Sequence, residues 1–269
     1  GLHLWYLVKF DENTDLQEAA NRLSKLGEIS KVQGNSRIRR AYSGNYRTYT
    51  SEAVLQKTAA TRTLSTAPND PGFVTQWNLN NVGDIDFGNS NAKSVTGCDV
   101  NCLEAWKKCT GDPSIIVAVL DEGVMYTHPD LAANMWVNEK EQLRAGKDAD
   151  GNGYKDDRYG YNFVKNSGLI SWTDANDTGH GTHVAGIIAA VNNNGEGVSG
   201  IAGGDGTPNS GVKLMSCQVF DGEGGVTLDG EAKAIKYAAD NGAVILQCSW
   251  GYNSGDANLV DGYTPGPAT

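Results

Sequence analysis

Residues 115–121 read Ile-Ile-Val-Ala-Val-Leu-Asp, six apolar residues in a row that end in a carboxylate. A strand covered on one face alternates apolar with polar residues. A continuous, β-branched run is instead expected of a central parallel strand covered on both faces. Residues 212–220 and 243–249 repeat the type. Between them Thr227 precedes Leu228, Ala232, Ile235 and Ala239 at helical spacing, and Asn241-Gly242 supplies a stop. Residues 181–191 predict another helix, apolar enough to be buried. Strand and helix in this alternation, joined by right-handed crossovers, predict an α/β fold with a doubly wound, mostly parallel sheet. In such sheets reactive groups collect beyond the carboxyl ends of the strands. Asp121 stands at one such end and His180 opens the helix at 181, so both positions suit catalysis.

Upstream the pattern differs. Residues 4–10 predict a strand, and Thr14 with Gln17 reads as a capping box for a helix carrying Leu16, Ala20, Leu23 and Leu26, stopped by Gly27. Residues 29–32 and 38–42 are short strand candidates, and the Thr/Ser/Ala-rich stretch from 48 to 67 has the composition of a linker or cleavable tail. The chain therefore divides into a small α+β module, residues 1–66, and a larger α/β domain, residues 67–269.

The net charge of −10 is divided unevenly: residues 1–66 carry ten Lys/Arg against six Asp/Glu, and residues 67–269 twelve against twenty-six. Two parts of opposite sign attract each other, although solvated surface alone accounts for such a bias. An acidic bulk without a basic-aromatic stripe disfavours nucleic acid as a partner. The longest apolar run, residues 115–120, is far too short to span a bilayer. Five cysteines are too few for a disulfide scaffold; Cys98 and Cys102 are close enough in sequence to close one small bridge, and Cys217 and Cys248 read as buried thiols.

Residues 177–186 read Asp-Thr-Gly-His-Gly-Thr-His-Val-Ala-Gly. A serine hydroxyl becomes nucleophilic when an imidazole removes its proton, and the imidazole needs a carboxylate on its other nitrogen to fix tautomer and orientation. His180 and Asp121 suit those two roles. A metal site using His180, His183 and Asp121 is the competing chemistry, since two histidines three apart can share a helical face.

Val-Leu-Asp121-Glu-Gly-Val, then Thr-His128-Pro-Asp130-Leu, then Gly179-His180-Gly-Thr-His183-Val-Ala-Gly186, then Cys-Ser249-Trp250-Gly251, resembles the subtilisin-like serine proteases in order, spacing and context. The resemblance covers about residues 69–254. It implies that Asp121 orients His180, which acts as base and then acid. It further implies that Ser249, Trp250 and Gly251 form an extended strand lining the primary specificity pocket, and that residues 222–226, with Gly224 and Gly225, form the opposite edge of the cleft. A polypeptide substrate would be clamped between the two edges by main-chain hydrogen bonds. The sequence departs from the family at Glu122, where a small hydroxyl residue is commoner, and at Trp250, where a smaller aliphatic is usual. The family's oxyanion asparagine and its Gly-Thr-Ser-Met-Ala block are absent. The nucleophilic serine is therefore expected beyond residue 269, in a second chain or a missing carboxyl-terminal remainder, and this chain alone is expected to be inactive. An inactive, protease-like binding or regulatory protein is the alternative.

Asp148, Asp150, Asn152, Tyr154 and Asp156 place oxygen ligands at alternate positions around a glycine-rich turn, which suits calcium. The resemblance implies a second calcium site from Gln76, Asp130 and Asn193 side chains with the carbonyls of Val191 and Val198. It also implies that residues 1–66 are a prosegment, a folding chaperone and inhibitor whose tail, within 55–67, lies in the cleft before being cut. A secreted or otherwise extracytoplasmic zymogen follows from the same resemblance.

Overall fold

The computed structural model describes residues 6–35, 37–40, 67–84, 94–222 and 224–251. In chain order the elements are α1 (Leu16–Leu23), β1 (Arg39–Arg40), a 3-10 turn (Pro71–Thr75), α2 (Cys102–Trp106), β2 (Ile116–Asp121), β3 (Gly160–Asn162), α3 (His180–Ala189), β4 (Lys213–Gln218), β5 (Phe220–Asp221), β6 (Gly224–Gly225), α4 (Leu228–Asp240), β7 (Ala243–Cys248) and β8 (Trp250–Gly251).

The main sheet has the spatial order β3-β4-β2-β7, with every pairing parallel. β2 thus has a hydrogen-bonded neighbour on each side, and its alternate residues feed opposite faces. Val117 and Val119 join Leu214 in a buried cluster with Ala185 and Ala189 of α3. Ala118 and Leu120 join Met215 and Cys217 in a second cluster with Ala234, Tyr237 and Ala238 of α4. The two helices therefore cover opposite faces, which is why the β2 run shows no alternation. Full burial of Val119 or Leu120 stabilises the fold by about 1.5–3 kcal/mol each, so a polar residue at either position would disrupt the layer contact.

β7 carries a similar run but lies at an edge: Val244 and Ile245 are 64% and 51% exposed. Among the described residues β7 has a strand on one side only.

The amino-terminal region differs from its expectation. Residues 6–10 form no strand, and neither do residues 29–32. α1 is capped by Asp15, whose Oδ1 accepts from Gln17 N and Glu18 N at 2.9 and 3.0 Å. Thr14, the expected cap, instead donates its hydroxyl to Asp11 Oδ1; a carboxylate one position nearer the helix takes the free N–H groups. Of α1 only Ala20 is buried. The strand expected at 38–42 is found at Arg39–Arg40 as β1, which pairs with β8, and residues 41 and 42 lie outside the described residues. The expected linker falls outside the described residues apart from Ala67. Cys98 and Cys102 are free thiols, so the small bridge is not formed. Among the described residues no helix is long and apolar enough to cross a membrane.

Candidate active site

β2 delivers Asp121 to the end of the sheet, where the residue is 1% exposed. α3 starts at His180 because Gly179 adopts a left-handed turn with φ of 75°, which side-chain-bearing residues adopt only at a cost. Gly181 then lets the first helical turn press against the end of β2; a Cβ there would lie 2.2 Å from Glu122 O. These two glycines bring His180 Nδ1 to 2.7 and 2.9 Å from the two Asp121 oxygens. Burial pushes the Asp121 carboxyl above its ordinary range, against the pull of the hydrogen bond and charge of His180 and of the Glu122 N–H at 2.7 Å. With Nδ1 held by the carboxylate, proton transfer falls to Nε2.

Glu122 has a definite structural part. Its side chain is buried, and Oε2 accepts from Thr178 N and from His180 N, both at 3.1 Å, while the Thr178 hydroxyl lies 3.2 Å away. A carboxylate at a helix start satisfies open N–H groups and complements the helix dipole. Glu122 therefore fixes the backbone that carries His180.

The two segments expected to edge a cleft are short strands, β6 and β8. β6, Gly224 and Gly225, pairs antiparallel with β5. On the other side Ser249 Oγ accepts from Gln247 Nε2 at 3.1 Å, and the Trp250 indole donates to Leu120 O at 3.0 Å. Trp250 packs against the buried cluster beneath α4. Residues 37–40 lie between the edges: Arg37 bridges Thr227, Ile38 N donates to Val226 O at 3.1 Å, and Arg39 and Arg40 pair with Gly251 and Trp250.

His183 does not join Asp121 and His180 in a metal site. Among the described residues, the one group of three or more histidine, cysteine or acidic side chains close enough to share an ion is Glu141, Asp148 and Asp150, whose ligand atoms lie within 4.8 Å of one another. This group keeps Asp148 and Asp150 from the expected calcium turn. It adds buried Glu141, which also accepts from the N–H groups of Ala149, Asp150 and Asp156. Asp156 leaves the turn: its φ is 59° and its Oδ1 accepts from Gly146 N at 2.8 Å. Asn152 binds Asp157 Oδ2 through Nδ2, and the Tyr154 ring packs edge-on against Tyr161 and Tyr237. Three convergent carboxylates, neutralised by none of the ion pairs recorded among the described residues, fit a hard cation.

The second expected calcium set fits less well. Gln76 exchanges two 2.8 Å hydrogen bonds with the Ser199 main chain. Asp130 accepts from Asn194 Nδ2 at 2.7 Å and Val198 N at 2.9 Å, and Val191 N donates to Asp130 O. Asn193, with φ of 58°, turns its side chain to Asn69 N and Asp205 O, so Asn194 is the asparagine that meets Asp130. Asp70, unsuspected from sequence, binds Asn193 N, Asn194 N and Ser199 Oγ. Burial raises the Asp130 carboxyl, and Asp70 adds to the rise.

A family model described as the Subtilase family matches residues 112–266, more than half of the chain. The chain is 41% identical over 138 residues to subtilisin-like protease 1 of Plasmodium vivax, covering 51% of this chain and 20% of that protein. It is 32% identical over 251 residues to the thermophilic serine proteinase of Bacillus sp. strain AK1, covering 91% of this chain and 51% of that protein. The crystal structure of an Aeromonas sobria serine protease with its chaperone is 32% identical, covering 58% of this chain and 20% of that one, with a TM-score of 0.38. The chain thus spans from a fifth to about half of the length of these relatives.

Proposed function

The chain belongs to the subtilase family, and from that premise we propose that it is part of a serine endopeptidase made as a proform. The observation that carries this reading is the contact of His180 Nδ1 with both Asp121 oxygens, 2.7 and 2.9 Å, where β2 meets α3.

A substrate would lie extended between the 224–226 and 249–251 edges. His180 Nε2 takes the proton of a serine hydroxyl as it attacks the peptide carbonyl, and Asp121 stabilises the imidazolium. His180 then returns the proton to the leaving amine, and water repeats the cycle on the acyl-enzyme. Residues 1–269 contain no Gly-Thr-Ser-Met-Ala block; in this reading the nucleophilic serine would come from sequence outside them. The remainder of the domain would cover the apolar β7 edge at Val244 and Ile245, a position that favours pairing. Calcium held by Glu141, Asp148 and Asp150 would supply rigidity rather than chemistry. The relative from Natrialba magadii is described as an extracellular serine protease, which supports an extracytoplasmic setting here.

A fluorophosphonate probe tests the reading. The full-length protein, folded and matured, is expected to label on one serine and to lose labelling in His180→Ala. A folded sample that neither labels nor digests denatured casein refutes it.

A further inference from the structure

Just ahead of His180, the partly buried carboxylate of Asp177 joins two parts of the molecule that lie 45 residues apart in the chain. Its Oδ1 accepts from Gly222 N at 2.9 Å, and its Oδ2 accepts from Asp174 N at 2.7 Å. Asp177 N in turn donates to Asp174 O at 2.9 Å, which closes residues 174–177 into one tight turn. Gly222 is shaped to the contact: its φ is 64°, and a Cβ there would lie 2.2 Å from Ala175 O. The segment that carries Asp177 is itself fastened to the sheet. Ser171 N donates to Gln218 Oε1 at 2.9 Å, and Gln218 is the partner of Asp121 where β4 pairs with β2. Lys165 Nζ lies 2.6 Å from Asp174 Oδ1.

Gly222 sits where β5 turns toward β6, and β6 consists of Gly224 and Gly225. Two glycines have no side chains with which to lock a strand, and glycine keeps the widest backbone freedom of any residue. What lies against this turn therefore sets where β6 runs. Straight after Asp177, the N–H groups of Thr178 and His180 bond Glu122 at the end of β2. The short stretch 177–180 thus fixes the histidine and the β5–β6 turn relative to each other. The carboxylate is costly to keep there. Burial pushes it above its ordinary range and the charges of Glu122 and Asp174 add to the rise, while the N–H bonds of Gly222 and Asp174 offset part of it. A turn needing one acceptor would do as well with serine. Two N–H groups that approach two separate oxygens require a carboxylate.

Resting on the peptidase reading above, we infer that Asp177 is a positioning residue for that reaction. Through Gly222 N it sets the placement of β6, the edge that would bond an extended substrate, relative to His180. It touches no reacting atom and acts through the β5–β6 turn. A long peptide uses the edge and depends on Asp177, whereas a small reagent that meets only the serine and His180 does not.

The test uses the full-length, matured protein, the variants Asp177→Ala, Asp177→Asn and Gly222→Ala, and two probes: a long casein peptide that the native protein cuts, and a fluorophosphonate. Asp177→Ala loses both bonds, and its kcat/KM on the peptide should fall by about 30-fold, nearly all of it in KM. Asp177→Asn keeps one acceptor oxygen and should fall by about 10-fold. Gly222→Ala keeps the carboxylate but drives the turn off Ala175 O, so it should match Asp177→Ala. Fluorophosphonate labelling should stay within about 3-fold of native in all of them. Peptide cleavage by Asp177→Ala within about 2-fold of native overturns the inference. So does a labelling loss as large as the peptide loss, which would place the effect on His180 itself. Should the Asp177 variants fail to fold, Gly222→Ala decides by the same two readouts. A native protein that neither labels nor digests casein removes the peptidase reading, and this inference with it; native activity with indifferent variants removes this inference alone.

Discussion

Replacing Glu122 by alanine removes the carboxylate oxygen that accepts from the His180 N–H and the Thr178 N–H, each 3.1 Å from Oε2. A donor left unsatisfied in a buried site costs about 1–3 kcal/mol. Two such donors, less the relief of no longer burying a carboxylate, give a local loss of about 3 kcal/mol. Because both N–H groups use the same oxygen, a glutamine carbonyl in that position keeps both bonds and loses only the charge. Glu122→Gln should therefore cost about 1 kcal/mol, the usual size of a charge interaction at a helix start. Serine, a small hydroxyl residue of the kind commoner in the family at this position, is too short to reach across, so Glu122→Ser should behave like alanine.

Amide hydrogen exchange of the 178–182 segment in the full-length protein reads the difference directly. About 3 kcal/mol of local opening corresponds to exchange roughly 100-fold faster in Glu122→Ala than in the native protein. Loss of the His180 anchor should also lower kcat by about 100-fold, since a misplaced base costs that much, with KM little changed. Alanine and glutamine variants with equal exchange and equal kcat would refute the clamp. So would an alanine variant indistinguishable from native.

Gly181→Ala should shift α3 away from β2, because its Cβ would meet Glu122 O at 2.2 Å, whereas Gly186→Ala meets nothing within 4 Å. A kcat fall of about 100-fold in the first, and added stability of about 0.5–1 kcal/mol in the second, is the expected contrast; thermal scans and casein assays check both. Calcium at 100 times its dissociation constant should stabilise the protein by about 2.7 kcal/mol, most of it lost in Glu141→Gln and little in Asp156→Asn. Identical calorimetric melting in calcium and in chelator would sink that site. Although burial works against it, hydrogen bonds from Thr227, Asn35 and Lys233 hold the Asp229 carboxyl at about 2, below the ordinary 3.8. A depressed carboxyl contributes stability above its unfolded value and loses it as pH falls through the folded one, here from about pH 4 to about pH 2. The group is exposed enough that screening leaves about 1 kcal/mol. Urea midpoints of native protein and Asn35→Ala should differ at pH 5 and converge near pH 2; a constant difference would count against the Asn35–Asp229 hydrogen bonds as the cause.

What was legible in the sequence is what leaves a local trace. Residues 115–120 show burial on both faces in their own composition, because α3 and α4 cover the two sides of β2. His180 is betrayed by its neighbours: Gly179 for the left-handed entry and Gly181 for the close approach to β2. What was not legible depends on partners far along the chain. Glu122 looked like a stray charge because the amides it serves lie 56 and 58 residues further on. Glu141 stands outside the acidic turn, so a template of alternating oxygens within the turn passes over it. The same template counted Asp156, whose left-handed backbone turns its carboxylate to Gly146.

The amino-terminal region marks the sharper limit. Residues 38–42 read Ile-Arg-Arg-Ala-Tyr, a weak strand signal, and nothing local says that Arg39 and Arg40 pair with Gly251 and Trp250. Gly225 has the same ambiguity from the other side. In the sequence it is one glycine of a glycine-rich turn, where freedom of the backbone is reason enough for its presence. In the structure its φ is unexceptional, and a Cβ there would lie 2.5 Å from Ile38 O, 2.7 Å from Phe220 Cε1 and 2.9 Å from Ile38 Cγ1. A glycine required by close approach rather than by conformation can be recognised only when the approaching chain is seen. Here that chain is residues 37–40, so Gly225→Ala should weaken their hold, and its Cβ must also displace the Phe220 ring across the β5–β6 pair.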